Sequence, residues 1–381
     1  MQNKKIRING KTNIVKLAAF FGFGSYLSIL LEVTAIASVL FACSLLSVAA
    51  NYFFYLSARK RMKVEDLIFA LVAVLTLLLS DWQLNFDYFK QAIIVYCTVL
   101  CIDLCVEESV DPNAQKIVTV VILLAAAITV WQYYFAGLRY SYYGSTTLVA
   151  LNFSNPNATA MWLVFLIVLL CDAVPVQKKY VVQIMLLGCA VAILPILFAT
   201  NARNSLLAIV FFFTGKLLVR FLKIKKFPAW CTLLITLMPV LVYTGYMYIF
   251  LPNYNRLSGW FSFLVSEGKP LTARSRIWSD LEMDTWKKIL FGDYAVYHQE
   301  QLHNSMLTLF CRFGIFYVVL VCRKMYRVLR KMPNAGMQLA LSTVWLTGCF
   351  ETSFFVGIAG MYMLILLLPI FHKHEICYNI R

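Results

Sequence analysis

Apolar runs of roughly 20 residues recur along almost the whole chain, and they restrict the possible folds more than any other feature. A helix needs about 20 apolar residues to cross a hydrocarbon core of about 30 Å. These runs are continuous, whereas the strands of a membrane β-barrel alternate apolar and polar side chains. The sequence therefore predicts an all-α polytopic membrane protein, built as a single integral membrane domain over residues 1–381.

The hydropathy pattern predicts about 12 transmembrane helices. The expected spans are 14–31, 33–56, 64–80, 88–106, 117–135, 157–174, 180–199, 204–222, 229–251, 303–322, 336–351 and 353–372. Residues 252–302, between the ninth and tenth spans, contain the longest polar segment of the chain. We expect them to form a long loop on the outer side of the membrane, facing the periplasm or the cell exterior.

The distribution of basic residues predicts the orientation. The formal net charge is +16, a value that would suggest a nucleic-acid partner for a soluble protein. In a membrane protein, Lys and Arg accumulate in cytoplasmic loops instead. Alternate loops of the predicted topology are basic, for example at 59–63, 178–179, 220–226 and 323–331. We therefore expect a membrane protein with both termini in the cytoplasm and no nucleic-acid partner.

Three residues on the predicted outer side indicate chemistry on a phosphate. Arg203 lies in a very short outer loop, an exception to the charge rule, so it either extends to the lipid headgroups or faces a cavity and holds an anion. Arg276 lies in the long loop close to Arg274, where the pair is either a solvated surface or part of a site. A guanidinium group keeps its charge and donates two parallel hydrogen bonds, which suits phosphate. His303 begins the tenth span, and an imidazole exchanges protons near neutral pH. This combination suggests transfer of a group attached to a lipid phosphate.

Other polar residues have two open interpretations. Asn155 and Asn157 flank Pro156, so they either start a helix or line a sugar site. Arg312 lies within the tenth span, and an isolated intramembrane arginine is expected to face the interior of the bundle. The sequence shows no cluster of carboxylates, histidines and cysteines typical of a metal enzyme. We expect neither a metal nor another cofactor.

Taken together, several short motifs resemble the bacterial O-antigen ligase/polymerase superfamily. The family's Arg-x-x-x-Leu after an outer turn is matched by Arg203 and Leu207, and its Arg and Gly separated by fifteen residues by Arg276 and Gly292. Its His-Asn followed after nine residues by Gly is matched by His303, Asn304 and Gly314. Arg312 is a departure, because relatives often carry an acidic residue there. The resemblance covers roughly residues 140–322 and the predicted topology.

The resemblance implies a metal-independent, lipid-phosphate-dependent membrane glycosyltransferase that acts on a glycan attached to undecaprenyl diphosphate. His303 would accept the proton of the attacking hydroxyl, while Arg203 and Arg276 would hold the diphosphate. The remaining candidate substrate-binding residues are Arg274, Asn155, Asn157, Asn304 and Arg312. A chain-length regulator and a flippase are possible protein partners, and membrane lipid surrounds the chain.

The favoured function is polymerisation of repeat units for O-antigen, capsule or exopolysaccharide. One alternative is a ligase that transfers finished glycan to lipid A–core. A second is a flippase or another transporter of lipid-linked oligosaccharides. Transporters usually contain internal repeats and polar groups at mid-membrane. In this sequence no repeat is found, and the polar candidates gather on the predicted outer side.

Overall fold

The computed structural model describes residues 11–59, 64–79, 112–137, 140–143, 146–153, 155–250, 252–253, 277–297 and 302–349. The helices in these ranges are α1 (Lys11–Leu30), α2 (Thr34–Arg59), α3 (Val64–Leu79), α4 (Pro112–Tyr134), α5 (Pro156–Ala173), α6 (Tyr180–Ala199), α7 (Arg203–Phe221), α8 (Ala229–Gly245), α9 (Trp286–Phe291), α10 (Tyr294–Tyr297), α11 (Ser305–Lys331) and α12 (Ala335–Thr347). A hairpin of β1 (Tyr140–Tyr143) and β2 (Thr146–Val149) lies between α4 and α5.

The membrane class of the protein is confirmed. A helix occupies every predicted span that falls within the described residues. Six of these helices are long and apolar enough to cross a membrane, namely those at 115–134, 156–173, 180–199, 203–221, 229–250 and 305–331. The predicted spans 88–106 and 353–372 lie outside the described residues. The described chain is thus an all-α membrane bundle with one small hairpin.

Two features differ from the sequence prediction. The span expected to end at residue 322 continues as helix α11 to Lys331, because Met325, Val328 and Leu329 lie on one face of it and are buried. The loop expected at 136–156 contains the antiparallel hairpin, in which Tyr140 pairs with Val149. A four-residue strand is too short to stand out in a sequence dominated by apolar helices.

Helix α5 is the centre of the bundle. Within its span 78% of the residues are buried, whereas α8 has only 17% buried. The side chains from Trp162 to Leu170 are all buried, so this helix is enclosed on all sides by protein. Helices such as α6 and α8 keep apolar side chains on the surface. That distribution is expected where the solvent is hydrocarbon, since apolar surface gains nothing from avoiding lipid.

The two ends of the bundle differ in charge. We call the end where α7 and α11 begin and α12 ends the upper end, and the opposite end the lower end. Basic residues gather in the lower connections, at 178–179, 223–226 and 330–331. There the Ala335 backbone N–H donates to the Lys225 carbonyl at 2.9 Å, and the Arg330 guanidinium donates to the Phe227 carbonyl at 3.2 Å. These bonds join the 222–228 loop to the last turn of α11 and to the first residue of α12.

An ion pair lies inside the bundle towards the lower end. The Lys216 ammonium on α7 is 2.8 Å from the Asp172 carboxylate on α5, which is buried. The same ammonium donates to the Cys171 carbonyl at 3.2 Å and lies 4.8 Å from the centre of the Phe212 ring. A carboxylate in this environment needs such a partner. The pair therefore joins the central helix to α7.

Two glycines allow direct contact between the long loop and helix α11. Gly292 (φ 78°, ψ 179°) follows α9, and Gly314 (φ 80°, ψ 177°) interrupts α11. A Cβ atom at either glycine would lie less than 3.0 Å from backbone atoms of the other segment. The Asp293 N–H donates to the Cys311 carbonyl at 2.7 Å. In an unbroken helix that carbonyl would accept from residue 315, so the break supplies the acceptor.

We expect Gly292→Ala and Gly314→Ala each to lower the stability of the protein by about 3 kcal/mol or more. Both residues occupy a backbone region that is essentially restricted to glycine, and each added methyl group would overlap backbone atoms. The measurement is the apparent melting temperature of the purified protein in detergent. Gly188→Ala is the matched control, because an added Cβ atom there would meet nothing within 4 Å. Equal melting temperatures for all three variants would contradict the contact.

Candidate active site

Three helices are joined at the upper end by hydrogen bonds to the last carbonyl groups of α12. The Asn204 side chain on α7 donates to the Thr347 carbonyl at 2.7 Å. The Ser305 backbone N–H at the start of α11 donates to the Gly348 carbonyl at 2.9 Å. The Asn304 side chain donates to the Cys349 carbonyl at 2.8 Å. Three successive carbonyl groups at the end of α12, those of residues 347–349, thus accept hydrogen bonds from the starts of α7 and α11.

This junction brings two of the predicted catalytic residues to the same place in the bundle. Arg203 is the first residue of α7 and directly precedes Asn204, while His303 directly precedes Asn304. Both Arg203 and His303 are half-buried. Because the two asparagines bind carbonyls only two residues apart in the chain, the arginine and the histidine lie beside one junction. Their catalytic roles stay a prediction.

The backbone around His303 is fixed on both sides. His303 itself has a left-handed conformation, with φ at 50°. On its N-terminal side, the Trp278 indole N–H donates to the Leu302 carbonyl at 2.7 Å. Trp278 is 2% exposed and packs edge-on against the rings of Tyr243 and Tyr246, with centroids 5.3 and 5.2 Å away. Trp278 therefore joins the described segment 277–297 to the backbone just before His303.

On the C-terminal side of His303, every described polar contact of the Asn304 side chain is to protein. Its Oδ1 accepts from the Leu307 N–H at 2.9 Å, which caps α11. Its Nδ2 donates to the Pro239 carbonyl on α8 as well as to Cys349, both at 2.8 Å. Asn304 is fully buried. Its structural role is evident, and the substrate contact expected from the sequence stays a prediction.

The structure places Arg312 inside the protein, as expected for an intramembrane arginine. Arg312 is 1% exposed, and its Nε–H donates to the Tyr297 carbonyl at 2.8 Å. It lies seven residues into α11, about 10 Å below the start of that helix. Burial raises the pKa of the Tyr297 phenol, and the hydroxyl oxygen accepts from the Glu282 N–H at 2.8 Å. Arg312 on α11 thus binds the segment that contains α9 and α10.

Asn155 has the helix-starting role that the sequence left open. Its side chain accepts from the Asn157 N–H at 2.8 Å, with Pro156 in the first turn of α5. The sugar-binding role of Asn155 and Asn157 stays a prediction. Arg274 and Arg276 lie outside the described residues. The described segment begins with Ile277, the residue that follows Arg276.

A short helix in the long loop is held by charged side chains. Lys288 on α9 is 3.3 Å from the Asp284 carboxylate and 3.6 Å from that of Asp293. Hydrogen bonds from the Asp284 backbone N–H and the Lys288 side chain lower the pKa of Asp284, and the Asp284 contact raises the pKa of Lys288. Because Asp284 is exposed, this contact adds little stability. It orients α9 rather than forming a reactive group.

The electrostatics of the upper end favour an anion. Helices α7 and α11 both begin there, and the N-terminus of a helix carries a partial positive charge. The opposing carbonyls at the end of α12 are bound by Asn204, Ser305 and Asn304. Arg203 places a guanidinium group at the start of α7, where the helix dipole gives it no stabilisation. In the described residues, no group of three or more His, Cys, Asp or Glu side chains is suited to a metal ion.

The sequence carries a signal for this junction that hydropathy and charge do not reveal. Related tripeptides mark the starts of both helices. Arg203-Asn204-Ser205 opens α7, and His303-Asn304-Ser305 ends on the first residue of α11. In both, the serine is buried and the asparagine donates to the end of α12. A basic residue followed by Asn-Ser at two helix starts would have predicted that both starts contact the same neighbour.

Comparisons with known proteins identified no relative of this chain. No family model, no curated protein and no solved structure matches the chain. The resemblance to the O-antigen ligase/polymerase superfamily therefore depends on the short motifs and on their arrangement.

We expect Asn304→Ala to destabilise the protein by about 2–4 kcal/mol, since it removes a helix cap and two buried donors. Asn304→Ser should cost less, because serine also caps helices but does not replace both donors. The apparent melting temperature in detergent reports both changes. Asn253→Ala is the control, as Asn253 is exposed and makes one local bond to Ile249. A loss at Asn304 no larger than at Asn253 would show that the junction contributes little.

Proposed function

We propose that the protein is a polysaccharide polymerase of the bacterial inner membrane. It would join repeat units carried on undecaprenyl diphosphate, in the biosynthesis of O-antigen, capsule or exopolysaccharide. The growing glycan would pass to a sugar hydroxyl of the next lipid-linked unit. The main support is the junction at the upper end, which holds Arg203 and His303 beside the starts of two helices.

The proposed reaction divides the chemistry between the arginines and the histidine. The acceptor hydroxyl oxygen attacks the anomeric carbon, and the bond between that carbon and the diphosphate oxygen breaks. The hydroxyl proton passes to the His303 imidazole, and the bonding electron pair leaves with undecaprenyl diphosphate. Arg203 and Arg276 offset the charge on this leaving group. Fixed donors at a developing charge are worth roughly 3–4 kcal/mol each.

The orientation forms part of the proposal. We infer twelve spans with both termini in the cytoplasm and the upper end facing outward. The basic connections at the lower end, which include Lys178, Lys225 and Arg330, support this orientation through the positive-inside rule. An outward-facing reaction would need a flippase to deliver the lipid-linked unit. A chain-length regulator is a further expected partner.

We expect His303→Ala to abolish polymerisation while the protein remains folded, because loss of a general base costs roughly 10²–10⁴-fold in rate. The measurement is the gel ladder of surface polysaccharide from a deletion strain complemented with wild-type or variant protein. A polymerase defect leaves single repeat units attached to their acceptor. A ligase defect instead leaves long chains on the carrier lipid, and an unchanged ladder would contradict both functions.

Arg203→Lys should reduce polymerisation about 10²-fold or more, since an ammonium group cannot replace the paired donors of guanidinium. Arg276→Lys is expected to behave in the same way. Arg220→Lys is the matched control, because Arg220 lies in the last turn of the same helix α7, at the lower end. Polymer length and yield, normalised to the amount of protein in the membrane, report the effect. Wild-type yield from Arg203→Lys would mean that this arginine only anchors the helix.

A further inference from the structure

A pocket lies at the upper end, and none of its described lining residues belongs to the junction with α12. It has a volume of about 330 Å³ and lies where α1 and α4 end, beside the turn between the hairpin and α5. The polar and aromatic side chains that line it are Glu32, Trp131, Gln132 and Asn152. Its size falls at the lower end of the range for small-molecule sites. The glycosyl-transfer chemistry described above uses none of these residues.

The side-chain amides of two residues in this pocket donate hydrogen bonds to the same backbone carbonyl. The Gln132 and Asn152 side chains both donate to the Leu30 carbonyl at the end of α1. Gln132 is 9% exposed, and its Oε1 is buried with no hydrogen-bond partner in the part of the chain that the structure describes. A buried acceptor without a donor is unfavourable. A hydroxyl group of a bound molecule would supply the donor.

The remaining lining indicates what kind of molecule fits. The Trp131 side chain is 55% exposed and forms an aromatic surface at the pocket. Glu32 adds an acceptor at the turn between α1 and α2. The described lining residues include no Lys, Arg or His, the side chains that usually hold a diphosphate. An aromatic face with amide and carboxylate groups suits an uncharged molecule with several hydroxyl groups.

We propose that this pocket binds a neutral sugar unit of the glycan. This inference rests on the proposed function, and it adds a glycan-binding site separate from the reacting groups. In this arrangement Trp131 packs against the apolar face of the sugar ring. Gln132 accepts from one sugar hydroxyl, and Glu32 accepts from another. The site would hold the glycan while the reaction proceeds beside Arg203 and His303.

The test is direct binding of a lipid-free saccharide to the full-length protein. The probe is the neutral repeat-unit oligosaccharide released by mild acid from the source cell's surface polysaccharide. Titration calorimetry on protein in phosphatidylcholine nanodiscs measures the affinity. We expect Trp131→Ala to weaken binding at least about tenfold and Trp131→Phe to retain most of it.

Phe135→Ala is the matched control. Phe135 follows the end of the same helix and is 76% exposed, but it does not line the pocket. Equal weakening by Phe135→Ala and Trp131→Ala would overturn the inference, because it would indicate a general loss of membrane-surface contact. Wild-type protein that binds no saccharide, or that holds only a phospholipid headgroup in native mass spectrometry, would also overturn it.

The outcomes separate the pocket from the proposed reaction. Trp131-dependent saccharide binding by a protein whose deletion leaves the polysaccharide ladder intact would support the pocket and contradict the polymerase. Normal polymerisation without measurable saccharide binding would contradict the pocket and leave the polymerase standing.

Discussion

A helix that ends within a membrane bundle must find donors for its last carbonyl groups, because hydrocarbon supplies none. Helix α12 meets this requirement through other helices. Asn204, Ser305 and Asn304 donate to the carbonyls of residues 347–349, and Asn304 also donates to Pro239 on α8. One set of hydrogen bonds therefore fixes the start of α7, the start of α11 and the end of α12 relative to one another and to Pro239 within α8. The half-buried Arg203 and His303 are held by this frame.

A second contact, at two glycines, depends on the absence of side chains. Gly292 and Gly314 let the backbone of the long loop approach the backbone of α11, and the loop donates to the Cys311 carbonyl. Arg312 binds the same segment through the Tyr297 carbonyl. Trp278 attaches an earlier part of the loop to Leu302. The loop is thus held against α11 both near His303 and lower in the bundle, which suits a site that needs fixed geometry.

Particular residues show where sequence reasoning succeeded. The described helices follow the apolar runs, because length and hydropathy alone decide whether a segment can cross a bilayer. Asn155 caps α5 because the Asn-Pro pair carries a local preference. Arg312 faces the interior because the alternative is hydrocarbon. The hairpin at Tyr140–Val149 was missed because four-residue strands are too short to stand out. The break at Gly314 was missed because it depends on a contact with Leu290 and Phe291, which are distant in sequence.

The sequence by itself determined the membrane class, the positions of the described helices and the separation of basic residues from Arg203 and His303. Each of these follows from the transfer of side chains between water and hydrocarbon, which is local to a segment. Only the tertiary structure decided that Asn204 and Asn304 both donate to carbonyls at the end of α12. It also decided that Gln132 and Asn152 both donate to the Leu30 carbonyl. Such bonds join residues roughly 45 to 145 positions apart. Their partners are backbone carbonyls, which every residue carries, so the sequence does not distinguish the acceptor that is used.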